Sequence, residues 1–251
     1  LYESTVEFDV TSEYAMAGRD FSARIYDAAS DENLEWSVVG GSDYSVTTNS
    51  AAQFTAQTGT ALGLTSDDVY TSYELPFAFP FYGEEYTTVY PNSNGALFLA
   101  SGYNNWSYNE SLFLSNPMIA CMWRDQCSGD VYVTKTANSV TFRWASLYNG
   151  DSSAANESLT LYSDGRIVCA YGAGNAYGGE VGISAGDGEN YILCGREGTG
   201  MANFGEIAFT PIGNLPAGLA LSSDGTFSGV PQEAGEYTLS LIATTADGST
   251  S

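Results

Sequence analysis

Acidic residues crowd the turns of this chain, and the first chemistry they could do is to hold a divalent cation. Asp67 and Asp68 are adjacent, Asp125 and Asp130 lie close together, and Asp164 and Asp187 each precede a glycine. Calcium takes about six to eight oxygen ligands of this kind. No spacing is that of an EF-hand loop or a nonapeptide repeat. The competing reading is turn chemistry, in which Asp bonds its own backbone ahead of glycine. Asp67 and Asp68 are the metal candidates, because adjacent carboxylates repel unless a cation lies between them. Calcium is the one cofactor the sequence leaves open.

A second cluster could read sugars. Residues 101–111, SGYNNWSYNES, set Tyr103, Trp106 and Tyr108 among amides and hydroxyls, the mixture that stacks on sugar rings and bonds their hydroxyls. The same segment carries the glycosylation acceptors Asn105 and Asn109, and Asn156 begins a third N-x-S triplet. Catalysis finds little support. The chain has no histidine, so a Ser or Cys nucleophile lacks its usual base, and zinc or haem sites lose their commonest ligand. No P-loop occurs, and among 30 acidic residues any glycosidase-like pair can be nominated by chance. The expectation is a protein that is not an enzyme.

The four cysteines, Cys121, Cys127, Cys169 and Cys194, suit two disulfides in an oxidising compartment. Of three pairings, Cys121 with Cys127 and Cys169 with Cys194 need the least rearrangement. The alternative is four buried thiols. Seven basic against 30 acidic residues give a net charge of -23, which repels nucleic-acid phosphates and anionic lipid. No run of about 18 apolar residues could cross a membrane as a helix. A start at Leu1 reads as a processed chain or an excerpt of a longer one.

The elements that must position these groups are strands. Short Val/Ile/Thr/Tyr runs alternate with Asn-Gly, Asp-Gly and Gly-Gly turns, and helical periodicity is nowhere sustained. Asn138-Ser139 and Asp164-Gly165 predict hairpins, and Asn94-Gly95 predicts a type I′ turn. Phe77, Phe79 and Phe81 alternate as one face of a strand, which Pro76 and Pro80 restrict to an edge or a bulge. Trp123 and Trp144 are expected as core anchors.

Two resemblances organise the chain. The runs LPFAFPFYGEEYTTVYPNSNGALFL (75–99), MIACMWRDQCSGDVYV, SVTFRW, LTLYSDGRIVCAYG and EVGISAGDGENYIL resemble, in order and spacing, the nidogen-like domain of extracellular and bacterial surface proteins. Residues 215–244, LPAGLALSSDGTFSGVPQEAGEYTLSLIAT, resemble the later half of the bacterial immunoglobulin-like module of the cadherin and dystroglycan type, and residues 15–41 resemble its opening half. These resemblances imply an all-β chain built from a nidogen-like β-sandwich and an immunoglobulin-like β-sandwich module. They imply adhesive or matrix roles at the cell surface or outside the cell. The expected division is a strand over 1–11, the module's opening half over 12–45, the nidogen-like sandwich over 46–210, and the later half over 211–251. Whether the sandwich interrupts one module or separates two partial ones stays open.

In that family a phrase like ATTADGSTS is followed by one more strand. Residues 1–11, LYESTVEFDVT, have the alternation to supply it, with Val6, Phe8 and Val10 on one face. The sequence therefore predicts a head-to-tail assembly of copies or neighbouring repeats, in which this strand completes the module of the preceding unit. The competing arrangement folds the strand back onto its own module. The alternative function is a carbohydrate-binding, lectin-like module with a glycan or matrix ligand.

Overall fold

The computed structural model describes residues 6–10, 21–27, 34–39, 43–56, 58–212, 219–231 and 240–245. In chain order the strands are β1 (Val6–Val10), β2 (Phe21–Asp27), β3 (Leu34–Val39), β4 (Asp43–Asn49), β5 (Thr60–Ala61), β6 (Tyr73–Phe81), β7 (Glu84–Pro91) and β8 (Ala96–Phe98). After a single turn of helix, α1 (Glu110–Leu114), come β9 (Pro117–Trp123), β10 (Gln126–Lys135), β11 (Ser139–Tyr148), β12 (Ala154–Tyr162), β13 (Ile167–Tyr171), β14 (Glu180–Ala185), β15 (Tyr191–Leu193), β16 (Gly205–Ile212), β17 (Leu219–Leu221), β18 (Thr226–Gly229) and β19 (Ser240–Thr245). The chain divides into two units, Tyr44–Thr210 and a second made of Leu1–Asp43 with Pro211–Ser251.

The larger unit is a β-sandwich. One sheet runs β4-β16-β13-β12-β11-β10-β5 and the other β15-β14-β9-β8-β7-β6. The central ladders of the first are antiparallel and in unbroken register from β11 to β16. Inward positions alternate along each strand, as Val140, Phe142 and Trp144 do in β11 and Ile207 and Phe209 in β16. They meet Phe79, Phe81, Val89, Leu97, Ile119, Val181 and Ile183 of the facing sheet in one apolar core. Burial of this kind stabilises by ~25 cal/mol for each Å2 of apolar surface removed from water.

Strands β9 and β14 are buried on both faces. The outer face of β8 and β9 is covered by a second apolar cluster in which Phe113 of α1 packs with Phe98, Met118 and Trp123. Asn109 caps α1, its side chain accepting from the Leu112 N–H at 2.9 Å. Trp123 and Trp144 are buried anchors, and each indole N–H has a partner: Asn105 O at 3.2 Å and Asn92 O at 2.7 Å. Phe79 and Phe81 face the core from β6, which is an edge strand with an irregular register between Glu74 and Phe79, the stretch that holds Pro76. Proline cannot donate to a ladder, so it is confined to such positions.

The turn at Asn94-Gly95 departs from the type I′ expectation. The Asn92 N–H reaches Ala96 O at 2.9 Å, closing a longer loop, and only Gly95 is left-handed, at φ 79°. The reason is Asn92, whose side-chain oxygen accepts from the N–H groups of both Asn94 and Ala96. A side chain at Gly95 would also meet Met122 O at 2.5 Å.

The smaller unit is assembled from both ends of the chain. β2 pairs with β18 and β3 with β19, so the sandwich is an insertion within one module. One sheet runs β1-β2-β18-β17 and the other is the pair β19-β3. This is the A-B-E-D and C-F order of an immunoglobulin-like sandwich. The Ser223-Asp224-Gly225 turn joins β17 to β18, with Gly225 left-handed and Asp224 accepting from the Thr226 N–H. Ala23, Trp36 and Phe227 are buried. β1 lies antiparallel to β2 of its own chain, Val6 opposite Asp27 and Val10 opposite Ala23, which is the folded-back arrangement. Residues 1–5, 11 and the expected strand positions Tyr237 and Leu239 lie outside the described residues.

Candidate functional site

Two turns bring three acidic residues together, and asparagines from two further loops hold them. Asp67 and Asp68 occupy the turn before β6, with Asp68 held left-handed at φ 50°, and Asp125 occupies the β9–β10 turn. One carboxylate oxygen from each lies within 4.8 Å of the others. Asn94 donates to Asp68 at 2.9 Å, and Asn149 reaches Asp67 at 3.4 Å and Asp125 at 3.2 Å. Burial pushes the Asp125 carboxyl above its ordinary range; the Asn149 hydrogen bond opposes that, and the charges of Asp67 and Asp68 add to it. Asp125 Oδ1 is buried with no partner among the described residues. Three converging carboxylates, one with an orphaned oxygen, form the hard, anionic oxygen set that suits calcium.

The other acidic candidates do turn and clasp work. Asp130 receives the N–H groups of Gly63, Leu64 and Val131, fastening the segment beside β5 to β10. Asp164 accepts from the Arg166 backbone and guanidinium, and Asp187 from the N–H groups of Glu189 and Asn190. Those bonds hold the Asp187 carboxyl down at about 2.

The three aromatic residues of the sugar-reading segment separate. Tyr103 packs on Phe98 at 5.0 Å and Tyr108 on Phe113 and Trp123, both as part of the outer apolar cluster. Trp106 alone faces outward, 59% exposed. Of the glycosylation acceptors, Asn109 is exposed and Asn105 half-buried. Asn156 lies within β12 with its side-chain oxygen held by Arg143 at 3.0 Å.

Neither expected disulfide is formed, and all four cysteines are thiols. Cys121 and Cys169 lie in strands of opposite sheets and share the buried core, where the Cys121 thiol contacts Ser158 O at 3.4 Å. Burial, with Cys169 beside it, pushes the Cys121 thiol well up; burial raises Cys194 to about 11. Cys127 sits at a bulge of β10, half-buried.

One ionisable group escaped the sequence reading. Glu157 is fully buried in β12, with Gln126 donating to its Oε1 at 2.7 Å and no partner at Oε2 among the described residues. Gln126 is itself fixed by Ser146 and by Met122 O. Burial raises the Glu157 carboxyl to about 8 against the opposing Gln126 bond and the Arg143 charge. The signal was present in the alternation Ala155, Glu157, Leu159, Leu161, which puts the carboxyl on the inward face.

Residues 43–204 match the family model described as "NIDO related". Residues 198–251 match the one described as "Putative Ig domain". No curated protein and no solved structure matches the chain.

Proposed function

The chain belongs to the NIDO-related family, and we propose that it serves as a structural and adhesive unit outside the cell, joined head to tail to further copies or repeats by β-strand complementation. Domains of these two types are typical of extracellular proteins, and no helix among the described residues is long and apolar enough to cross a membrane. The observation that carries the reading is the two-stranded sheet of the smaller unit. β19 has β3 on one side and, among the described residues, nothing on the other, while the sister sheet has four strands. An unpaired edge presents a row of N–H and C=O groups to which an incoming strand can add.

The donor in this reading is β1 of the next unit. Among the described residues it is an edge strand with one neighbour, β2, so it can leave without breaching a sheet interior. Val6, Phe8 and Val10 would supply its apolar face. The Asp67–Asp68–Asp125 cluster is the calcium seat of this proposal, supported by the orphaned Asp125 oxygen. Deleting residues 1–11 tests the assembly. Electron microscopy is expected to show filaments from the intact protein and isolated particles from the deletion; filaments that persist would overturn strand complementation.

A further inference from the structure

An outward-facing tryptophan beside a fixed tyrosine needs a reason in a protein that buries its other indoles. Trp106 is 59% exposed and Tyr177 40% exposed, whereas Trp36, Trp123 and Trp144 are buried. Both exposed rings line one open cleft of about 360 Å3, with Arg124, Asp125, Asp151 and Glu197. That volume lies within the ~300–1,000 Å3 typical of small-ligand sites.

Tyr177 is held firmly in place. Its ring meets Tyr148 edge-on at 5.3 Å, its hydroxyl donates to the Asp151 carboxylate, and the Arg124 guanidinium stands 5.6 Å from its centroid. Arg124 is in turn paired with Glu197 at 3.5 Å. A ring fixed before binding loses little entropy on taking a ligand. Leaving Trp106 in water forgoes the burial its neighbours Tyr103 and Tyr108 obtain in the outer cluster.

We propose that this cleft binds a neutral sugar ring of a glycan, which gives the adhesive reading above its ligand class and rests on it. The C–H face of a pyranose stacks on Trp106, and its hydroxyls donate to the carboxylates of Asp151 and Glu197. Asp151 and Glu197 against the single guanidinium of Arg124 leave the cleft anionic even with Asp125 engaged by a cation, so uronic acids, sialic acids and phosphorylated ligands are disfavoured. Two sources share this chemistry. One is a glycan presented by another molecule; the other is a glycan carried by the neighbouring Asn105.

The test uses the full chain from a non-glycosylating host, titrated with cellotetraose, triacetylchitotriose, lactose, mannobiose and the acidic controls sialyllactose and trigalacturonate. Acrylamide quenching reads Trp106, the accessible indole. At least one neutral sugar is expected to protect it, with Trp106→Ala weakening binding at least about tenfold and Tyr177→Ala also weakening it. Because Trp106 is exposed, its replacement leaves the fold intact, which circular dichroism checks. Protection without added sugar, seen only in protein from a glycosylating host, assigns the cleft to the Asn105 glycan. Absence of any neutral-sugar binding up to about 10 mM together with no such protection, unchanged binding in Trp106→Ala, or preference for the acidic controls would overturn the proposal. Filament formation by the same variant is scored separately by microscopy, so loss of sugar binding and loss of assembly are told apart.

Discussion

Replacing Glu157 with Gln should stabilise the larger unit near neutral pH, and the gain should grow with pH over a defined window. The carboxyl titrates at about 8 in the folded chain against 4.5 when unfolded. A folded value above the unfolded one means the native state prefers the protonated form. The contribution of this group is therefore greatest below pH 4.5, falls as pH rises from there, and levels off above 8, where both states are ionised. The slope is about 1.4 kcal/mol for each pH unit, so at pH 7 the wild type has lost roughly 3 kcal/mol to this one group. Glutamine keeps an oxygen for the Gln126 donor and cannot ionise, so Glu157→Gln escapes the loss. The assay is urea unfolding at a series of pH values, followed through the buried Trp123 and Trp144. Self-repulsion among 30 acidic residues also erodes stability as pH rises, but it is common to both proteins and cancels in their difference. Parallel wild-type and variant curves between pH 5 and 8 would refute the argument.

Three further outcomes follow from the same structure. Calcium at about a hundred times its Kd should add roughly 2.7 kcal/mol of stability, read as a rise in Tm that EDTA reverses and Asp125→Asn abolishes; calorimetry without heat and an unmoved Tm would remove the calcium seat. Iodoacetamide applied to the native protein should label Cys127, the half-buried thiol at the β10 bulge, before Cys121, which is buried with its pKa raised and should react only on unfolding; peptide mapping checks the order. In a glycosylating host, glycopeptide analysis should find Asn109 modified, because its Oδ1 caps α1 while its exposed amide nitrogen stays available, and Asn156 unmodified, because it is bound within β12.

What the sequence makes legible here is whatever depends on neighbours a few residues away. The all-β class follows from alternation and turns, and the indoles of Trp123 and Trp144 are core anchors because their size leaves few other places for them. The Asn94-Gly95 dipeptide does mark a turn, yet its type is decided by Asn92, whose side chain captures two N–H groups that a two-residue rule does not consider. Tyr103, Trp106 and Tyr108 are equivalent as composition. Only the outer face of β8 and β9 sorts them, taking two tyrosines and leaving the tryptophan outside. Cysteine proximity fails as a guide for a related reason. The chain crosses from one sheet to the other between β9 and β10, so Cys121 points into the core with Cys169 of the opposite sheet while its sequence neighbour Cys127 sits half-buried at the β10 bulge. Glu157 is legible as a carboxylate on an apolar face, but its burial beside Gln126 depends on β10, 31 residues away in sequence.

The energetics of strand complementation turn on what β1 gives up. In its own chain it forms one antiparallel ladder with β2, five residue pairs long. Adding to β19 of a neighbour would form one ladder and surrender another, so backbone hydrogen bonding is close to balanced between the two arrangements. Separate subunits must then find the association cost of roughly 4–15 kcal/mol elsewhere. Covalently linked repeats meet each other at an effective concentration of the order of millimolar and largely escape that cost. A head-to-tail contact does not close on itself, so either case propagates as an open filament. The two cases separate on dilution. Linked repeats should keep their filaments by electron microscopy as concentration falls, whereas filaments of separate subunits should shorten and disperse. Filaments of separate, unlinked subunits that survive extended dilution would show that β1 gains much more at β19 than it loses at β2, and would refute the balance argued from the ladders.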